Sequence, residues 1–157
     1  MKIKITLALF LGVLSSCGIH SEEVAAKANP DSNLIIGTWQ LLTATLIEKG
    51  DTVVTDYNTG NISFIKIIND THFSFLQHDL KKGKDSAVFV AGGGAYSLSD
   101  SLYTEPLEYC SAREWEGNDF TFTVTVNNDT IVQQGIEKVE SAGVNRLNIE
   151  KYVRVKK

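Results

Sequence analysis

The chain has 157 residues, a formal net charge of −4 and 43% hydrophobic residues. These values suit one folded domain and exclude a disordered or fibrous chain. An acidic balance without a basic cluster argues against nucleic acid as a partner.

In chain order, the first residues read as a secretion signal. Met1-Lys2-Ile3-Lys4 is a basic start and Ile5 to Leu14 an apolar run of secretory length. That run is shorter than the roughly 20 apolar residues that a membrane-spanning helix needs. Leu14-Ser15-Ser16-Cys17 follows, with an aliphatic residue, two small residues and a cysteine in register. It resembles a bacterial lipobox, which implies cleavage after residue 16 and acylation of Cys17. Several acyl chains would anchor the protein stably, since each buried methylene contributes about 0.8 kcal/mol. With Cys17 acylated, Cys110 has no disulfide partner, and stability must come from the core. Residues 17–33 read as a tether between the membrane and a domain spanning 34–157. Ser21-Glu22-Glu23 resembles a surface-export signal of some Gram-negative lipoproteins, and it also suits a plain solvated linker. The expected location is the Gram-negative cell envelope, at the outer membrane.

From Leu34 onward the dominant period is two. Trp39, Leu41 and Thr43 alternate with Gln40, Leu42 and Ala44. Gly50-Asp51 turns into a short strand, Thr52 to Thr55. Ile62 to Ile68 is β-rich, and Asn69-Asp70-Thr71 turns it into His72 to Gln77. Lys81 to Asp85 is a charged loop. Ser86 to Leu98 follows, interrupted by Gly92-Gly93-Gly94, a pattern of bulges, bends or close backbone approach. Leu102 to Cys110 is the next strand. Asp119 to Val126 alternates Phe120, Phe122, Val124 and Val126 with three threonines, and Asn127-Asn128-Asp129 turns into Thr130 to Gly135 or beyond. Arg146 to Lys156 closes the chain. About eight or more strands with short turns predict an all-β antiparallel meander, and closure into an up-and-down barrel would remove exposed edges.

In this context Gly37-Thr38-Trp39-Gln40-Leu41 resembles the start of a bacterial lipocalin-like lipoprotein. The other matching residues are Ile67 to Phe75 with its hairpin, Gly94-Ala95-Tyr96, Tyr103-Thr104-Glu105 with Tyr109, and Glu150 to Val155. The resemblance implies a lipocalin-like barrel marked by Gly37 and Trp39. It also implies that Trp39 packs at the closed end beneath an arginine, with Arg154 the first counterpart and Arg146 the second. The chain departs from the longer lipocalin pattern in its shortness and its lack of a disulfide or a final helix.

Alternation proposes an interior. Tyr103, Glu105, Leu107 and Tyr109 share one strand face, and Glu150, Tyr152 and Arg154 share another. If both point inward, the barrel holds tyrosines, carboxylates and an arginine, with Glu105 paired to Arg154 or to a tyrosine hydroxyl. Tyr96, after the glycines, is a further candidate wall residue. The predicted ligand-binding residues are therefore Tyr96, Tyr103, Glu105, Tyr109, Tyr152 and Arg154. A filled core with Leu147, Ile149 and Val153 inward fits the same pattern, because a small barrel can be filled by its own side chains. Trp115, in a polar loop, either stands at the rim or folds onto the barrel. His72 and His78 share a face but lie about 20 Å apart at about 3.3 Å per residue, so they cannot ligate one metal. No metal set, cofactor motif or nucleophile–base pair is visible, and Cys110 reads as a small buried hydrophobe. The expected function is non-enzymatic binding of a small, partly apolar ligand at the membrane. The alternatives are a protein-interaction lipoprotein working through Trp115 and Lys81 to Lys84, and an enzyme using Glu105 and a tyrosine.

Overall fold

A computed structural model describes residues 32–156. The expected signal at 1–16, Cys17 and nearly all of the expected tether lie outside the described residues. The chain enters through a short helix, α1 (Ser32–Ile35), where the sequence suggests strand from Leu34. Ile35 is buried and plugs one end of the molecule. Gly37, at φ +147°, turns the chain into β1 (Gly37–Glu48).

The rest is an all-β, antiparallel sheet. Its strands are β2 (Asp51–Asp56), β3 (Ile62–Ile68), β4 (His72–Asp79), β5 (Phe89–Ala95), β6 (Ser97–Ser99), β7 (Leu102–Pro106), β8 (Tyr109–Cys110), β9 (Asp119–Asn127), β10 (Thr130–Val139) and β11 (Val144–Arg154). The hydrogen-bonded path runs β6-β7-β9-β10-β11-β1-β3-β4-β5-β8, with β2 added to β1. The sheet curls into a half-barrel. Its two ends meet in one stretch of chain, because β7 pairs with β9 and β8, three residues further on, pairs with β5.

Turn chemistry sets the hairpins. Asn69 Oδ1 accepts the backbone N–H groups of Thr71 and His72 at 2.9 and 2.7 Å, which makes the tight β3–β4 turn. Asn128 adopts φ +52° between β9 and β10. The predicted Phe120, Phe122, Val124 and Val126 face is the inward face of β9.

Two breaks in alternation redirect side chains. The first is a bulge between Leu41 and Thr43 in the β1–β11 register. The carbonyl of Leu42 instead accepts the N–H of Tyr57 at 2.9 Å. One extra residue exchanges the faces of the strand, so Ala44 and Leu46 point inward and Thr43 does not continue the face of Trp39 and Leu41. The second lies between β7 and β8. Pro106 supplies no N–H, and Leu107 pairs with the loop at Asn118 and Gly117. Tyr103, Glu105 and Leu107 are buried, but the face then slips. Cys110 is buried and Tyr109 is 69% exposed. Tyr109 therefore does not belong to the inward face that the sequence suggests.

The glycine run makes the crossing feasible. A Cβ on Gly94 would overlap the Pro106 carbonyl and approach Glu108 N to 3.1 Å, and one on Gly92 would come within 2.9 Å of the Tyr109 carbonyl. The run is thus a place of close backbone approach, where the chain from β7 to β8 passes over β5.

Candidate functional site

The two ends of the half-barrel differ. At one end Trp39 is buried and donates its indole N–H to the Ile35 carbonyl at 2.7 Å. Arg154, opposite Trp39 on β11, lays its guanidinium 4.0 Å from the Trp39 ring centroid. It donates to the carbonyls of Ile36 and Leu34, both at 2.7 Å. Gly37 has φ +147°, which L side chains rarely adopt, and a Cβ there would also displace the Arg154 guanidinium, 2.5 Å away. This end is sealed. Arg154 clamps the seal and does not reach Glu105.

The other end holds a cavity of about 320 Å³. Phe64 on β3 and Phe75 on β4 stack at 5.7 Å on one wall, with Tyr57 edge-on to Phe64 at 6.2 Å. Trp115 and Phe120, 5.9 Å apart, form the opposite wall. Trp115 sits in a 3-10 turn, Arg113–Trp115, and is half-buried, with Arg146 over its ring at 5.5 Å. Of the two sequence readings, Trp115 takes the one in which the loop folds onto the barrel.

Polar side chains form the floor. Lys66 on β3 is buried and lies 2.5 Å from Glu105 Oε1 on β7. It also donates to Gln133 Oε1 at 2.9 Å. Gln133 Nε2 donates to Glu150 Oε2 at 2.6 Å, and the Tyr152 hydroxyl donates to the same oxygen at 2.7 Å. The Lys66 ammonium is 5.2 to 5.9 Å from the ring centroids of Tyr103, Phe73, Phe122 and Tyr152, so aromatic faces share in holding the charge. Nearer the rim, Arg146 Nε and Asn148 Nδ2 donate to the two oxygens of Glu137 at 2.7 and 2.8 Å.

The environment shifts several groups. Burial, reinforced by Glu150, pushes the Tyr152 hydroxyl well above its ordinary range. Burial likewise raises Tyr103, with Glu105 adding to it. Burial raises the Glu137 carboxyl, and Arg146 opposes the shift. The tyrosines stay neutral at physiological pH, so Tyr152 can only donate its proton in a hydrogen bond to Glu150. Glu105 is matched by Lys66, an arrangement that suits a structural charge pair rather than a general acid or base.

Of the six residues suggested by the sequence, Glu105 and Tyr152 line the cavity. Tyr103 lies inside at the sealed side of Lys66, and its hydroxyl has no hydrogen-bond partner among the described residues. Tyr96 packs on Tyr103 at 5.2 Å and donates its hydroxyl to the Asn69 carbonyl at 2.8 Å, near the β3–β4 turn and away from the cavity. Tyr109 is on the outer face, and Arg154 belongs to the seal. Sequence reasoning missed Lys66, Gln133, Glu137, Arg146 as a cavity residue, and Asn148. Their signal was parity: Lys66 shares a face with Phe64 and Ile68, Gln133 and Glu137 with Ile131, and Arg146 and Asn148 with Tyr152. No protein-family model and no curated protein matches this chain, so the functional reading rests on this geometry.

Proposed function

We propose that the chain is a membrane-anchored, lipocalin-like binding protein for a small, partly apolar ligand. One observation carries the reading: a half-barrel sealed at one end by Trp39 and Arg154 holds, at the other, an aromatic-walled cavity of about 320 Å³ over a polar floor. Pockets of about 300 Å³ and upward, with apolar walls and a few fixed polar groups, are the usual form of small-molecule sites. The seal is the pairing that the lipocalin resemblance implies. The lipobox-like Leu14-Ser15-Ser16-Cys17 supports an anchor in the Gram-negative envelope. An inward Trp115 supports use of the cavity over use of the rim as a protein contact.

The test is a tryptophan-fluorescence titration with 2-phenylethanol, because Trp115 forms part of the wall. Saturable quenching is expected. Ala44→Trp, which fills the cavity from β1, should abolish it while leaving the circular dichroism of the folded chain in place. Quenching that survives in Ala44→Trp, or none in the wild type, counts against the reading.

A further inference from the structure

We propose that the cavity selects an amine: a ligand with an aromatic or aliphatic body and one protonated nitrogen that donates hydrogen bonds to Glu150 and Asn148. This rests on the binding reading above and names its ligand class.

The charges in the cavity do not balance. Five charged side chains line it: Lys66, Arg146, Glu105, Glu137 and Glu150. Lys66 pairs with Glu105 and Arg146 with Glu137. Glu150 makes no ion pair among the described residues. Its Oε2 is fixed by Gln133 and Tyr152, whereas its Oε1 accepts nothing among them. The carboxylate thus lines the cavity with its position fixed and one oxygen free to accept from a bound cation.

A second observation points the same way. Asn148, two residues from Glu150 on the same face of β11, is 5% exposed. Its Oδ1 has no hydrogen-bond partner among the described residues. Its Nδ2 is committed to Glu137 Oε1 at 2.8 Å, so the end of the amide left over is an acceptor. Both unmet valences on this wall therefore ask for a donor. Lys66 and Gln133 donate within the floor and Arg146 donates through Nε to Glu137 with its guanidinium over Trp115, and none of the three donates to Glu150 Oε1 or Asn148 Oδ1. The ring of Phe64, which lines the cavity beside Tyr152, offers aromatic surface to an ammonium group. A carboxylate ligand would meet Glu150 as a like charge, and a neutral alcohol would leave that charge unmatched.

The experiment is titration calorimetry on the full chain at neutral pH with 2-phenylethylamine, 2-phenylethanol and 3-phenylpropionate, which share a body and differ in head group. The amine should bind at least about tenfold more tightly than either of the others, the scale of one charge-assisted hydrogen bond. Glu150→Gln keeps an acceptor for Gln133 and Tyr152 and should erase that preference, with circular dichroism and a cooperative unfolding curve reporting that the variant is folded; if it does not fold, the ligand series on the wild type decides alone. Equal or tighter binding of the alcohol or the acid, or unchanged amine affinity in Glu150→Gln, overturns the amine inference and leaves the binding reading standing. Binding of none of the three overturns both.

Discussion

A lysine between Phe64 and Ile68 on one strand face has to carry its charge into the interior. Lys66 does so because Glu105, Gln133 and four aromatic rings receive it. Such a pair adds little net stability over a hydrophobic pair, but breaking it strands one charge. Glu105→Ala should therefore destabilise the fold by about 3–5 kcal/mol in denaturant unfolding, while Lys66→Met with Glu105→Leu should recover most of the loss. A cost near zero for the single change would mean that Lys66 reaches water. Glu137 gives a pH signature. Burial raises its carboxyl from an ordinary value of 4.5, so the folded chain binds that proton more readily than the unfolded chain. Its contribution favours folding below that ordinary value and is lost as pH rises through the raised one. Unfolding curves of wild type and Glu137→Gln should show the wild type losing ground to the variant from about pH 4.5 upward. A pH-independent difference would contradict the assignment. At this scale the sequence was half legible: alternation offered Glu105, Glu150 and Tyr152 as one of two possible inward sets, but it could not choose between them or say that Glu105 would meet Lys66 from β3 instead of Arg154. Partners across a sheet depend on register and on the curl of the whole sheet.

At the scale of elements, the alternating face of β9 and the Asn69 turn were readable because each depends on neighbours in sequence. The slips at Leu42 and at Pro106–Tyr109 were not, because each is set by a distant strand. The β1 bulge follows from Leu42 turning its carbonyl to Tyr57, and its consequence is the small Ala44 on the cavity wall. The slip before β8 follows from the chain leaving β9 for β5, and it turns Tyr109 outward. The three glycines were correctly suggestive of close approach; what approaches them is the Pro106–Tyr109 segment. Gly94→Ala should thus be an overpacking change that costs about 1–3 kcal/mol, with faster amide exchange at Tyr109 and Cys110 than in the wild type. A neutral substitution would show that the crossing has room to spare.

At the scale of the whole molecule, the seal and the cavity divide the labour. The Gly37, Trp39 and Arg154 cluster ties the helical entry to the last strand, and it stands at the end where the described chain begins. The cavity opens at the far end, where β1, β3, β10 and β11 present Ala44, Phe64, Glu137 and Arg146. The anchor is tested separately: cells given labelled palmitate should label the wild-type protein and not Cys17→Ser, and equal labelling would remove the lipid anchor from the account. The pairing at the seal was an expectation of the lipocalin resemblance, which offered Arg154 first and Arg146 second as the partner of Trp39. The hollowness of the other end was not legible, because cavity volume depends on how a few side chains pack across the sheet. The central claim, that the cavity is a ligand site, is tested most directly by mapping amide shifts while 2-phenylethylamine is added to isotope-labelled protein. The account predicts saturable shifts concentrated at Ala44, Phe64, Trp115, Asn148 and Glu150. Shifts confined to the exposed outer face around Leu76, Phe89 and Tyr109, or no saturable shifts at all, would contradict it.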